Sequence, residues 1–160
     1  METRLANPHR LAPEAYNGLA AVSAQLKAST LGKALIALVD LRASQINGCA
    51  FCLDMHIKEA IIHGERPLRL HHVATWRESQ LFAPRERAAL AWTEAVTQLS
   101  PLGVPDDIYE RVRTQFSEEV LVDLAYEEMA INAWSRINVA FRVEPGTADK
   151  AFGLDKAGLS

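Results

Sequence analysis

Apolar residues recur at helical spacing along most of the 160-residue chain, and no segment sustains the alternation of a half-buried strand. Leu31, Leu35, Leu38, Val39, Arg42 and Ile46 mark one helix, with Ser29 or Thr30 as its cap. Asn47-Gly48 breaks it, because both residues tolerate a left-handed backbone. Asn47 can also cap a following helix, from about Gly48 to His63, with Gly64 as its stop. Upstream, Pro13 opens a helix carrying Tyr16, Leu19, Ala20 and Leu26 and ending near Lys27. Downstream, a short helix is expected from Leu68 to about Trp76, and a stronger one opens at Pro84, with Ala88, Leu90, Ala91, Trp92, Ala95, Val96 and Leu99 as its apolar surface. Beyond the Pro101–Pro105 connector, Ile108, Val112 and Phe116 mark another short helix. Ser117 caps the last long one, which runs to about Val143 and has Glu118 and Glu119 in its first turn, where anions are favoured. These readings predict an all-α fold: one domain over residues 1–160 with its core at about 13–145, an irregular arm over residues 1–12, and a loosely ordered tail after Pro145-Gly146.

Composition narrows the function classes. Apolar residues make up 49% and charged residues 23%, the balance of a globular domain that buries its own core. The net charge of -3, with acids and bases interspersed, argues against nucleic-acid binding. No apolar run reaches the length of a membrane span, and the first residues lack the apolar centre of a secretory signal. The only two cysteines, Cys49 and Cys52, are three apart and cannot form a structural disulfide framework. A cytoplasmic location is expected, where such a pair is more often catalytic or metal-binding.

The chemistry concentrates in the stretch LRASQINGCAFCLDMH, Leu41 to His56. On a helix, Cys49 and Cys52 share a face, and His56 stacks one turn beyond Cys52. Two thiols and a base are the parts of a dithiol redox centre. The helix N-terminus stabilises a thiolate, most strongly at Cys49. The same three side chains are also three metal ligands, with His63, His71 or His72 as a fourth, although a structural zinc site usually draws on two separated pairs. The bland reading makes both cysteines small core residues. Core or interface packing is expected for Trp76, Trp92 and Trp134, and a solvated first turn for Arg85-Glu86-Arg87. Asn132 and Asn138 are expected to bond across a subunit contact or face water.

This stretch resembles the AhpD-like/carboxymuconolactone decarboxylase superfamily, and most closely its alkylhydroperoxidase D-like, peroxidase-related branch. WRES at Trp76–Ser79, Phe82, RERAALAWTEAVT at Arg85–Thr97, INAW at Ile131–Trp134 and VAFR at Val139–Arg142 are similar to the same branch. The resemblance covers about residues 13–145. It implies an AhpD-like helical fold and an obligate homo-oligomer, trimer or hexamer, with the thiol site at a helix N-terminus. The implied activity is that of a thiol peroxidase or disulfide reductase, which reduces a small hydroperoxide with electrons from an external thiol or lipoyl-type donor. No metal or organic cofactor is implied. By resemblance Cys52 is the peroxidatic cysteine, Cys49 resolves it, and His56 belongs to the proton relay. The dipole argument alone favours Cys49, but only Cys52 has the histidine at i+4. The family's relay glutamate, twelve residues before the first cysteine, is replaced here by Ala37, which leaves Asp40 and Glu86 as relay candidates. Two other expectations stand beside the peroxidase: a carboxymuconolactone decarboxylase-like lyase, which has no need of the cysteine pair, and a non-enzymatic redox sensor.

Overall fold

The computed structural model describes residues 2–5 and 7–159, and among these every extended element is helical. The order is α1 (Pro8–Leu11), α2 (Pro13–Lys27), α3 (Lys33–Asn47), α4 (Ala50–Ile62), α5 (Pro67–His72) with a 3-10 turn over Val73–Thr75, α6 (Pro84–Thr97), α7 (Asp106–Arg113), α8 (Glu118–Phe141), α9 (Asp149–Phe152) and a closing 3-10 turn over Leu154–Ala157.

Helix α3 is the axis of the fold. It packs on α4, α6 and α8 at once, so it cannot keep a polar face. Leu38, Val39, Leu41 and Ala43 are all buried, along with Asp40 and Ser44. One side of α3 joins Leu35, Ile36 and Val39 to Ala88, Trp92, Val112, Phe116, Leu121 and Leu124. The other joins Ala37, Leu38 and Leu41 to Ala60, Val73, Trp76, Phe82 and Leu90. Trp76 and Trp92 are therefore core residues, as expected. Trp134 is half-buried, packs edge-on to Tyr16 and donates to the Ser23 hydroxyl.

Several boundaries differ from the sequence reading. Gly32 rather than Ser29 or Thr30 precedes α3, and its φ of 83° is one that glycine adopts without strain. The Ser29 hydroxyl closes the preceding turn, accepting from the Leu31 amide. Gly48, at φ 63°, ends α3 as expected, but Asn47 does not cap α4. Cys49 takes that place, its sulfur accepting from the Cys52 amide. The Leu68–Trp76 segment splits after His72 into its 3-10 turn.

Among the described residues, both terminal segments carry helical turns where the sequence reading expected irregular chain. The arm includes α1, and the Arg4 amide donates to the Phe141 carbonyl at the end of α8. The tail is docked rather than loose. Buried Lys58 on α4 binds both Asp54, at 2.8 Å, and Asp149 of α9, at 2.7 Å. Asp54 also accepts the Gly146 amide, and Leu154 is buried in the 3-10 turn that packs on α4. The polar clasp has no periodicity that a sequence reading could use.

Candidate functional site

The α3–Gly48–α4 corner forms the site. Ending α3 in a left-handed residue turns the backbone so sharply that α4 starts beside the helix it leaves. The cap of the new helix is then a cysteine. Cys49 and Cys52 form a disulfide with Cα atoms 5.3 Å apart, a separation set by one helical turn. Both residues are 1% exposed and pack with Ala43, Ile131 and Phe51.

The two sulfurs are not equivalent. Helix α8 crosses the pair and aims two donors at Cys52: the Ser135 hydroxyl at 3.6 Å and the Asn138 amide at 3.5 Å, both on buried residues. Cys49 receives the Cys52 backbone amide at 3.2 Å instead. Side-chain donors placed around Cys52 favour a thiolate there once the disulfide opens.

His56 lies one turn beyond Cys52, as the spacing predicted, and is 4% exposed. Its Nδ1 is 2.9 Å from Glu59 Oε2 and 3.5 Å from Asp40 Oδ2. A carboxylate only accepts, so Nδ1 carries the proton in the neutral ring and Nε2 holds the lone pair. Nε2 is buried and has no hydrogen-bond partner in the protein.

Of the two relay candidates, Asp40 is brought to the site and Glu86 is not. Glu86 accepts from the Ala83 amide and pairs with Arg69 at 2.5 Å, which fixes the entry to α6. Its neighbour Arg87 donates to the carbonyls of Trp76, Arg77 and Ser79. The expected solvated turn is thus a set of ties between α6 and the preceding loop. Ala37 is buried in the apolar cluster of Leu38, Leu41, Ala60 and Trp76 and offers no carboxylate to His56.

Asp40 does not stand alone. Glu127 and Glu128 of α8 are buried near it. Burial, then the charges of Glu127, Glu128 and Glu59, hold Asp40 well above the usual carboxylate range. Burial likewise raises Glu127, and it raises Glu128 to about 8 despite the Thr93 hydroxyl at 2.5 Å. Asp40 Oδ1 and Glu127 Oε2 are both buried without a hydrogen-bond partner, which fits carboxyls held toward their neutral forms. Glu59 behaves in the opposite way. Burial pushes it up, but the hydrogen bonds and charges of His56 and Lys27 prevail and hold it at about 2. Lys27 of α2 closes on Glu59 at 2.6 Å.

Sequence reasoning missed Ser135, Glu59, Lys27, Glu127 and Glu128, and it misplaced two asparagines. Asn138 serves the sulfur. Asn132 accepts from Asn47 and donates to Thr97 and the Glu128 carbonyl, all within one protomer. A usable signal was present: Glu128, Asn132, Ser135 and Asn138 follow helical spacing within a largely apolar helix. Among the described residues no group of three or more His, Cys, Asp or Glu side chains is arranged to hold a metal ion. His63 and His71 are exposed, and His72 is bonded to Ser79.

A groove of about 860 Å³ lies over the start of α4. Gly48, Cys49, Ala50 and Phe51 form one wall, and Asn138, Val139, Arg142 and Val143 form the other. Cys49 therefore lines an open, partly apolar cleft, Cys52 lies behind it, and Asn138 is shared between the cleft and the Cys52 sulfur.

The same architecture occurs in known proteins. The model of the carboxymuconolactone decarboxylase family matches residues 13–95. The uncharacterized protein YdfG of Bacillus subtilis (strain 168) is 37% identical over 132 residues, which span 82% of this chain and 90% of YdfG. Among solved structures, ATU0492 of Agrobacterium tumefaciens, a protein of unknown function linked by name to the antioxidant defence protein AhpD, superposes with a TM-score of 0.86. It is 40% identical, over 91% of this chain and 99% of that one. The debrominase Bmp8 shares the fold at a TM-score of 0.76, with 20% identity over 91% of this chain and 78% of its own.

Proposed function

The chain belongs to the carboxymuconolactone decarboxylase family, and we propose that it is an AhpD-like thiol peroxidase. The observation that carries this reading is the asymmetry of the Cys49–Cys52 pair, with Ser135 and Asn138 directed at Cys52. In the reduced protein Cys52 loses its proton, with His56 as the base one turn along α4, and attacks the peroxide as a thiolate. One peroxide oxygen bonds to sulfur, and the other leaves as the alkoxide and takes the proton back from His56. Cys52 becomes a sulfenic acid. The Cys49 thiol attacks it, water leaves, and the disulfide forms. An external dithiol, of lipoyl or similar type, then reduces the disulfide and is itself oxidised to a disulfide. Two electrons pass from dithiol to peroxide in each cycle, and the sulfurs carry them without a bound metal or organic cofactor. The apolar side of the groove suits a hydroperoxide with an organic tail.

Self-association belongs to the same reading. Val122, Tyr126, Met129 and Ile137 are exposed along one side of α8, an apolar stripe that a homo-oligomer would cover. No helix among the described residues is long and apolar enough to cross a membrane. The proposed cycle fits the cytoplasm, where a dithiol donor is at hand. Steady-state peroxide consumption with dihydrolipoamide tests the function. The wild type should turn over and Cys52→Ser should not. Equal rates in the two proteins would remove the assignment.

A further inference from the structure

The relay glutamate of the family is replaced by Ala37, yet His56 Nδ1 still meets two carboxyl groups. Geometry and surroundings separate them. Glu59 Oε2 is at 2.9 Å, the ordinary length of an N–H···O bond, whereas Asp40 Oδ2 is at 3.5 Å, beyond its usual range. Asp40 is 2% exposed, its Oδ1 has no hydrogen-bond partner, and burial together with the Glu127, Glu128 and Glu59 charges holds it toward its neutral form. A carboxyl group so held is a poor partner for a nascent imidazolium. Glu59 has a cation on its other side, with Lys27 Nζ at 2.6 Å, and the Lys27 side chain is 46% exposed. The residue before Glu59, Lys58, is committed elsewhere, to Asp54 and Asp149. The charged or titratable groups around Glu59 are therefore Lys27 from α2, Asp40 from α3, His56 on α4 and Glu127 from α8.

Cys52, His56 and Glu59 fall at i, i+4 and i+7 on α4, one stripe of one helix. We propose that Glu59, clamped by Lys27, is the positioning carboxylate of this protein's relay: it fixes the His56 ring through Nδ1 and stabilises the imidazolium that forms when Cys52 gives up its proton. The relay is thus carried on α4 itself, and its stabilising cation comes across the α2–α4 seam. Asp40, the candidate nearest in sequence to Ala37, belongs instead to the buried acid cluster with Glu127 and Glu128. The inference rests on the thiol chemistry proposed above, but its test needs no peroxide.

The test uses reduced protein in a Cys49→Ser background and measures alkylation of Cys52 by iodoacetamide as a function of pH. A merely structural role for Glu59 would not move this profile. Glu59→Gln should raise the pH midpoint by about one unit, so that the rate at pH 7 falls about tenfold. Asp40→Asn should cost several-fold less. Lys27→Met, at a half-exposed site that tolerates substitution, should shift the profile in the same direction as Glu59→Gln, and Lys27→Arg should restore it. A loss in Asp40→Asn equal to or greater than that in Glu59→Gln would overturn the proposal, as would unchanged profiles in both Glu59→Gln and Lys27→Met. A shifted profile in a protein that consumes no peroxide would leave this inference standing and remove the peroxidase reading. An unchanged profile in an active peroxidase would do the reverse.

Discussion

Cys52 and Cys49 are three residues apart at the start of α4 and equally buried, yet a single crossing helix gives them different surroundings. Asn138 and Ser135 direct donors at Cys52 only. Hydrogen bonds to a charged group contribute roughly 1.5–3 kcal/mol each, which exceeds the modest advantage that an N-cap position gives a thiolate at Cys49. Replacing Asn138 by alanine should therefore slow the reaction of reduced Cys52 with peroxide or with iodoacetamide by roughly tenfold or more. Stopped-flow or quenched alkylation on the reduced protein would read it, and an unchanged rate would show that the contact in the disulfide form does not persist in the thiol form. The cysteines and His56 were legible in the sequence because their chemistry is local, at i, i+3 and i+7. The donors were not, because 83 residues separate Ser135 from Cys52 and only the packing of α8 on α4 joins them.

At the level of elements, the helix boundaries were mostly legible, since proline starts, glycine stops and apolar spacing are local signals. The departures arise where a tertiary contact supplies what sequence alone does not. Cys49 takes the cap in place of Asn47 because Asn47 is still within α3, where its side chain donates to Asn132. The tail after Pro145 is short and polar, with no apolar periodicity, yet Lys58, Asp54, Asp149 and Gly146 bind it to α4. Lys58→Met leaves Asp54 and Asp149 without their shared cation. Limited proteolysis should then cut the tail beyond Gly146 faster than in the wild type, and the melting temperature should fall. Equal cleavage would mean that Leu154 alone holds the tail in place. The clasp lies on the helix that carries Cys52, His56 and Glu59, so its loss should also loosen the site.

The whole molecule carries an unusual electrostatic load at its centre, with three buried carboxyl groups between α3 and α8. Their effect on stability has a definite sign. Glu128 titrates at about 8 in the folded protein against 4.5 unfolded. The folded state then holds a proton that the unfolded state loses, so this contribution is fully present below about pH 4.5 and is lost as pH rises through about 8. Asp40 and Glu127, also raised, act in the same direction. Glu59 acts oppositely. Held at about 2, it stabilises the fold above the ordinary carboxylate range, and that stability is lost as pH falls toward 2. Glu128→Gln keeps the contact with Thr93 without an ionisable group. Between about pH 5 and 8.5 its unfolding free energy should fall less than that of the wild type, the difference being on the order of a few kcal/mol. Denaturant titrations across that range would measure it, and parallel curves would mean that Glu128 is ionised in the fold.

The fold class was legible from the spacing of apolar residues. The central acid cluster was not, because nothing in the local sequence sets Glu127 and Glu128 apart from solvated helix residues, and only the packing of α8 buries them. Cys52 is the sulfur on which the proposed cycle depends, since it is the one that meets the peroxide. The most direct measurement is a single turnover in reduced Cys49→Ser, where no resolving thiol is present, with one equivalent of an organic hydroperoxide and a cyclic 1,3-dione to trap sulfenic acid. A dione adduct on the peptide containing Cys52, formed as the peroxide is consumed, is the predicted result. No adduct and no peroxide loss there, with both seen at Cys49 in Cys52→Ser, would contradict it.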